Sequence, residues 1–444
     1  MWAKEERGLP LHKKGRRIQA SRNIQASPNH AWLFGLLFGG APTVRWAAAG
    51  ALPAGYQRAD RFALLRAAPG RTFVLSLGAR RGASSALTSY NSLRSGRTRL
   101  VRRVLGLGLR TGLAQPLLQD KIDIGVMRGA TSAELAENLL GDHLRHLFGR
   151  GPVVMAVGSG SGPHRKPVLQ VFTADGVPLA YIKVGWNDWT RKAVRREAAA
   201  LQACRQHQML LGVPAFLGLS SWRGLDLLVT GPLPRDIRRL GTGSGPPDVR
   251  VLHEISEIAP GFTGELAASP WWLSVRSRIQ DVADLAVRSA LEQAAERIER
   301  AHGHVPLKFG AWHGDLAPWN LARNGSRLYA WDWESSTPCA PLGFDAVHFH
   351  YSVAFIAQRR SLAEAAAIAA GSAGGVLDAL GVPGRAHRLV ALLHMIELAV
   401  CHEEARRSTG DVDDRFYPDV LGVIERQLPG SRGLAGRQSA EPVA

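Results

Sequence analysis

The chain is poor in cysteine and lacks a hydrophobic run long enough to span a membrane. Its 444 residues include three cysteines, Cys204, Cys339 and Cys401, which lie far apart and form no Cys-x-x-Cys pair. This spacing argues against a disulfide framework or a cysteine zinc site, and it predicts a reducing, cytoplasmic location. The most apolar stretch, Ala31–Ala41, is too short for a transmembrane helix and is followed by Pro42. We therefore expect it to be a buried or interfacial segment.

Acidic residues are nearly absent from the first part of the chain. Residues 1–119 contain 20 Lys and Arg but three Asp and Glu, a net +17, whereas residues 120–444 contain 35 and 34, a net +1. The larger part is thus electrically balanced, which excludes a chain-wide nucleic-acid-binding surface. Nucleic-acid binding by the basic block alone is the weakest hypothesis, because the block has no recognition motif and few aromatic residues for stacking. We expect no nucleic-acid partner.

One segment of this basic block alternates arginine with apolar residues. Arg94–Arg110 contains six arginines and six leucines or valines. The pattern favours a helix or strand packed on the protein with a solvated basic face. A peripheral contact with an anionic membrane or a polyanion through residues 94–110 stays open as the alternative.

The order of the predicted elements is typical of an α+β protein. A hairpin is predicted from Phe62–Leu65 and Thr72–Leu77, followed by strands with one helix and then mostly helices. This order predicts a small sheet lobe, a larger helical lobe and an extra basic N-terminal region. The expected segments are 1–54 as a poorly ordered basic tail and apolar stretch, 55–130 as a basic extension with the hairpin, 131–234 as the sheet lobe, 235–430 as the helical lobe, and 431–444 as a disordered tail.

The strongest chemical signal is the sequence WHGDLAPWN at positions 312–320. Pro318 favours a loop, and such a loop can direct the Asp315 carboxylate at a substrate hydroxyl and the Asn320 amide oxygen at a metal. Asp332 follows at the end of an apolar strand, where a carboxylate is costly unless it is paired or binds a cation. Asp-x4-Asn followed by a strand-ending Asp is the layout of a divalent-metal phosphoryl-transfer site. We expect His313 to support this loop.

A second signal lies upstream, in a strand and the helix that follows it. Lys183 stands in the apolar strand Leu179–Val184, and Glu197 shares a helix face with Val194 and Leu201. Two opposite charges on adjacent apolar elements are most simply explained as one ion pair. Before them comes a glycine-rich stretch with Gly158, Gly160 and Gly162, whose backbone amides could either cradle phosphates or form an ordinary hairpin turn.

HGDLAPWN followed by WDWE resembles the aminoglycoside phosphotransferase and choline kinase-like family, which has the bilobal protein-kinase-like fold. The resemblance covers roughly residues 151–428. It implies Asp315 as catalytic base and Asn320 and Asp332 as Mg²⁺ ligands. It also implies Lys183 on the ATP phosphates, held by Glu197, and adenine against the backbone at Val229–Leu233. Gly314 stands where protein kinases carry arginine, which favours a small-molecule acceptor.

The sequence thus predicts an ATP- and Mg²⁺-dependent phosphotransferase that acts on a hydroxyl of a sugar, aminoglycoside or amino alcohol. The main alternative is a non-catalytic, nucleotide-binding scaffold that docks on a membrane or polyanion through its basic N-terminal block. Two acidic residues near the motif are assigned supporting roles. We expect Asp345 to bind loop backbone and Glu334 to be a neighbour of the site.

Overall fold

The computed structural model describes residues 28–68, 71–90, 93–149, 151, 153–160, 164–409 and 416–427. The chain divides into two compact units. The first consists of the chain up to Ala198 together with Pro214–Arg238, and the second consists of Ala199–Val213 together with the chain from Arg239 onward. Both helices and strands are abundant, so the predicted α+β class is confirmed. No helix within the described ranges is long and apolar enough to cross a bilayer.

The first unit is built on a single antiparallel sheet of nine strands. Its strands are β1 Val44–Ala48, β2 Tyr56–Ala68, β3 Arg71–Ser76, β4 Lys121–Met127, β5 Val153–Ser159, β6 Val168–Thr173, β7 Pro178–Gly185, β8 Phe216–Trp222 and β9 Leu225–Thr230. Their spatial order is β1-β4-β2-β3-β5-β6-β7-β9-β8. Its helices are α1 Pro28–Phe38, α2 Arg80–Thr88, α3 Gly96–Thr111, α4 Ser132–Asn138, α5 Leu140–Phe148 and α6 Asp188–Gln206, the last of which runs into the second unit.

The apolar segment near the N-terminus belongs to the core of this sheet. Leu33, Phe34 and Phe38 of α1 are buried, and the Phe38 and Phe62 ring centroids lie 5.5 Å apart. The expectation of a buried segment at 31–41 is therefore confirmed, whereas poor order is the wrong description of residues 28–54. The reason is that α1 carries several leucine and phenylalanine side chains. Their burial against the sheet is favourable, whereas a disordered tail would expose them to water. Residues 1–27 and 431–444 lie outside the described part.

The basic extension and the sheet lobe expected at 55–130 and 131–234 form one sheet. The predicted hairpin is present as β2 and β3, and β3 pairs along β5 from Thr72↔Ser159 to Leu75↔Ala156. The prediction that residues 55–130 and 131–234 are separate segments is therefore wrong. The cause is that β5 would otherwise expose an unpaired edge, which β3 satisfies with backbone hydrogen bonds. Helices α2 and α3 cover one face of this joint sheet around Leu75, Val154 and Phe172.

The second unit is mainly helical, with two small groups of strands. Its helices are α7 Val249–Ser256, α8 Pro270–Gln280, α9 Leu285–His302, α10 Phe344–Ser352, α11 Leu362–Ser372, α12 Gly374–Ala379, α13 His387–Thr409 and α14 Phe416–Gln427. Its strands are β11 Phe262–Glu265, β12 Pro306–Trp312, β13 Leu321–Asn324, β14 Arg327–Ala330 and β15 Thr337–Pro341, after the two-residue β10 Arg238–Arg239 at the boundary. Strand β12 pairs with β11 and β15, and the hairpin of β13 and β14 follows the 312–320 motif.

Candidate active site

The 312–320 motif forms a loop fixed by a carboxylate from the next helix. It begins where β12 ends, and Asp345 at the start of α10 accepts hydrogen bonds from the backbone N–H groups of His313 at 2.8 Å and Gly314 at 3.2 Å. The expectation for Asp345 is therefore confirmed. Burial raises the pKa of Asp345 to about 6, against the lowering effect of these two N–H groups.

Glycine is required at position 314. Gly314 has φ +84°, and a Cβ there would collide with the carbonyl oxygen of Ser335. An arginine at this position would therefore need the loop to move, so the departure from the protein-kinase pattern is built into the backbone.

His313 supports the loop from within the core, as expected. Its side chain is fully buried, its Nδ1 accepts a hydrogen bond from the Asp315 N–H at 3.3 Å, and its ring lies 4.4 Å from that of Trp333. Burial lowers the pKa of His313 to about 4, so the ring is neutral at physiological pH and can accept this bond.

The Asp315 carboxylate is held from both sides. Asn320 Nδ2 donates to Asp315 Oδ2 at 2.9 Å and also to the Asp315 carbonyl at 2.9 Å. His348 Nε2 lies 3.3 Å from Asp315 Oδ1. Because the side-chain nitrogen of Asn320 donates to Asp315, the side-chain oxygen Oδ1 of Asn320 is the atom left to bind a cation.

His348 and its neighbours are functional candidates that the sequence analysis missed. His348 Nε2 also contacts Ser352 Oγ at 3.0 Å, and its Nδ1 lies 3.2 Å from Nε2 of His394 on α13. Burial keeps the pKa of His394 well below its usual range, so it is neutral. One available signal was the position of His348 in α10, one turn after Asp345 and between the apolar Val347 and Phe349. Nothing local in the sequence pointed to His394.

Asp332 occupies a strained backbone position directly after β14. Its φ of 74° and ψ of 54° are left-handed, a conformation that costs a non-glycine residue of order 1–3 kcal/mol and occurs preferentially at functional sites. The residue is buried, and one of its carboxylate oxygens lies within 4.8 Å of one from Glu334. The Trp331 N–H donates to the Asn320 carbonyl at 3.2 Å, which links this strand end to the motif loop.

In the first unit, the predicted ion pair is present. Lys183 Nζ on β7 lies 2.5 Å from Glu197 Oε2 on α6, and their side chains are 19% and 2% exposed. Val194 and Ala198, on either side of Glu197 along α6, pack with Leu228 in a small apolar cluster. The apolar stripe of α6 thus places Glu197 against the strand that carries Lys183.

The glycine-rich stretch begins within strand β5. Gly158 lies within β5 and is paired with Phe73 on one side and Val168 on the other. Gly158 is therefore a strand residue, because β5 extends to Ser159 and pairs there with β3, and it does not belong to the connection between strands. Gly160 follows the strand, with open space where a Cβ would be. Gly162 lies outside the described residues.

The two positions expected against adenine are also engaged otherwise. Val229 is a core residue of β9, paired with Ile182 and Gly218. The Leu233 N–H donates to Tyr90 Oη at 2.6 Å, and Tyr90 donates back to the Leu233 carbonyl at 3.2 Å. The backbone of Leu233 is therefore already bound by a residue of the N-terminal block.

Similar proteins are found among solved structures alone. No family model matches this chain, and no curated protein matches its sequence. Amicoumacin kinase hAmiN in complex with AMP-PNP, Ca2+ and Ami is 10% identical over 60% of this chain and 87% of its own, with a TM-score of 0.41. A thermostable mutant of aminoglycoside phosphotransferase APH(4)-Ia is 12% identical over 66% of this chain and 100% of its own, with a TM-score of 0.44. Choline kinase LicA from Streptococcus pneumoniae is 14% identical over 59% of this chain and 89% of its own, with a TM-score of 0.39.

Proposed function

We propose that this chain is an ATP- and Mg²⁺-dependent phosphotransferase that moves the γ-phosphate to a hydroxyl of a small molecule. The observation that carries the proposal is the Asp315 carboxylate, held between Asn320 and His348 on a loop that Asp345 fixes from below. Two side chains thus hold the carboxylate in a single orientation, and a third fixes the backbone of its loop. Phosphoryl transfer depends on such positioning more than on a strong base.

Asp315 would orient the acceptor hydroxyl and take its proton late in the transfer. The transition state is loose, so little basicity is needed before the bond to the phosphoryl group forms. His348 is a positioning residue in this scheme. Because His394 is neutral, its Nε2–H can donate to His348 Nδ1, which leaves the His348 Nε2–H to donate to Asp315.

The residues near Asp315 fit a hard divalent cation. Asn320 offers its carbonyl oxygen, and Asp332 offers a carboxylate with that of Glu334 close by. An all-oxygen donor set is what Mg²⁺ prefers. When bound, Mg²⁺ would neutralise charge on the terminal phosphates. The left-handed backbone of Asp332 supports this role, since such strained positions occur preferentially at functional sites.

Lys183 would bind the ATP phosphates and Glu197 would hold it in place. The 2.5 Å ion pair with a nearly fully buried Glu197 supports a fixed ammonium group over a mobile surface lysine. Such a cation stabilises the negative charge of the transferring group.

A second candidate is the nucleotide-binding scaffold, and the bond between Tyr90 and Leu233 favours it. In the family that the sequence resembles, adenine is expected against this backbone, which is engaged here. Under this alternative the chain would bind nucleotide without placing adenine against this backbone, and it would release no ADP.

A metabolite screen separates the two candidates. Hydroxylated sugars, aminoglycosides and amino alcohols are incubated with the purified chain, ATP and Mg²⁺, and ADP release is measured. The Asp315→Asn variant serves as the blank, because it keeps the size of the side chain and removes its charge. Acceptor-dependent ADP release that Asp315→Asn lacks supports the phosphotransferase. Release at the wild-type rate by Asp315→Asn contradicts the assigned mechanism.

A further inference from the structure

Helix α3 carries a strongly exposed apolar face. Leu100, Val101, Val104 and Leu107 are each between 61% and 65% exposed. Leu113, in the turns that follow, is 76% exposed. Single exposed leucines are ordinary on a protein surface, but a contiguous set indicates a contact with another apolar body.

The exposed face is not the side by which α3 packs on the protein. Leu100, Val104 and Leu107 follow a spacing of four and three residues, so they form one stripe along the helix. The inward side contains Gly106 and Leu109, both buried. The helix is thus already docked by its opposite face, and the stripe is left facing outward.

The charge around this stripe is of one sign. Residues 61–119 contain eleven arginines and no aspartate or glutamate. Arg99 and Arg103 of α3 line a cavity of about 620 Å³ together with Arg235 and Arg238, which follow β9. Asp236 is the one acidic residue among those that line it. An anion that approaches the apolar stripe therefore meets guanidinium groups beside it.

We infer that α3 docks this protein on an anionic lipid bilayer. We call Leu100, Val104 and Leu107 with Arg99 and Arg103 the α3 surface. In the bound state the stripe enters the boundary between head groups and acyl chains, and the arginines contact lipid phosphates, as in other interfacial amphipathic helices. The apolar stripe is what favours lipid over nucleic acid, because a polyanion has no use for exposed leucines on the face that binds it.

The test is sedimentation of the full chain with lipid vesicles. One set of vesicles contains phosphatidylcholine alone, and the other is an equal mixture of phosphatidylcholine and phosphatidylglycerol. We expect binding to the mixed vesicles and little to the neutral ones. An arginine near an anionic surface contributes about 1 kcal/mol, so Arg99→Gln with Arg103→Gln should weaken the partition coefficient by about 25-fold.

The apolar stripe is tested separately, because the basic residues 1–27 could also attract the chain to anionic lipid. The triple variant Leu100→Gln, Val104→Gln and Leu107→Gln leaves every charge in place, and glutamine is a good helix former. We expect it to lose at least about tenfold in binding. Leu285→Gln, at a leucine of the second unit that is 72% exposed, is the matched control and should bind like the wild type. Circular dichroism checks that each variant is folded.

Three results would overturn the inference. The first is no binding of the wild type to the mixed vesicles. The second is equal binding by the triple variant, which would reduce the contact to charge and make a polyanion such as heparin the better ligand. The third is a wild-type dimer in light scattering that the triple variant abolishes while vesicle binding is unchanged, which would make the stripe a contact between copies of this chain.

Discussion

The two units differ in how well short motifs predict their local geometry. In the second unit the residues around Asp315 bind one another, and each partner lies within the same unit. In the first unit the side-chain pair Lys183–Glu197 forms as expected, but Gly158 and Leu233 have partners from the N-terminal block. Side-chain contacts within a motif can thus be predicted from the motif itself. Whether a backbone N–H or C=O group is left to bind a ligand depends on which other segments of the chain pair with it.

The charge distribution follows the same division. The basic block at 1–119 supplies strands and helices to the first unit, while residues 120–444 are almost neutral. A segment that adds three strands to a sheet also adds its own surface, and here that surface is rich in arginine. The first unit has therefore gained both new backbone pairings and a new exposed face.

The largest effect is expected at Asp332 of the second unit, which has a left-handed backbone and a buried carboxylate. If Asp332 binds Mg²⁺ as proposed, Asp332→Gly should reduce the proposed phosphotransferase activity by about 10³-fold, because the cation loses an anionic ligand. The same change should leave the free energy of unfolding unchanged or raise it by about 1 kcal/mol, since glycine adopts the left-handed backbone without strain. Turnover and urea denaturation measure the two effects.

Asp332→Asn is the matched control for this prediction. Asparagine tolerates the left-handed conformation about as well as aspartate but has no charge, so its activity should fall with little gain in stability. A large loss of stability in Asp332→Gly would contradict the prediction, because it would make Asp332 a structural residue.

In the first unit the ion pair should be most sensitive to loss of one partner. Lys183→Met leaves the buried Glu197 carboxylate without its cation, and we expect unfolding to become easier by about 3 kcal/mol. The double variant with Glu197→Gln should recover much of this loss. Denaturation of the wild type, both single variants and the double variant forms a complete cycle. If the double variant is no more stable than Lys183→Met, the pair contributes little and its role as a fixed unit is wrong.

The sequence predicts those features that depend on side-chain pairing along one or two elements. The pairing of Lys183 with Glu197 follows from two charges on apolar elements, and the contact of Asp345 with loop backbone was expected and is present. The position of Gly158 could not be predicted, because it depends on β3 pairing with β5 over a distance of more than eighty residues. His394 was hidden for the same reason, since α13 reaches His348 only through tertiary packing.

Protonation of the buried His313 should lower the stability of the second unit as the pH falls. His313 has a pKa of about 4 in the folded protein, lowered by burial from 6.5. Its contribution to stability is therefore complete above about pH 6.5 and is lost as the pH falls towards 4, by an amount of about 2–3 kcal/mol. Asp345 acts in the opposite direction, because its raised pKa of about 6 favours the folded state at low pH.

The difference between the wild type and His313→Asn isolates the histidine, because Asp345 is common to both proteins. Asparagine offers an oxygen to the Asp315 N–H in place of Nδ1. The free energies of unfolding of the two proteins should converge as the pH falls from 7 to 4. A difference that is constant over this range would show that His313 does not titrate on unfolding.

The smallest effect is expected at Tyr90, where the first unit departs from its motif. Burial raises the pKa of Tyr90 far above its usual value, so its hydroxyl stays protonated and can donate to Leu233. Tyr90→Phe should lower the free energy of unfolding by about 1–2 kcal/mol, because the Leu233 N–H loses its acceptor.

If adenine uses the Leu233 backbone when ATP binds, Tyr90→Phe should also bind ATP more tightly, by up to about tenfold, because the base no longer competes with the Tyr90 hydroxyl. Calorimetric titration with ATP measures this gain. The matched control is Tyr56→Phe, whose hydroxyl donates to the Pro42 carbonyl elsewhere in the same unit. An ATP affinity that is unchanged in Tyr90→Phe would mean that the base binds elsewhere. The N-terminal block would then have replaced the adenine contact that the motif implies, and the two units would differ even more than their motifs suggest.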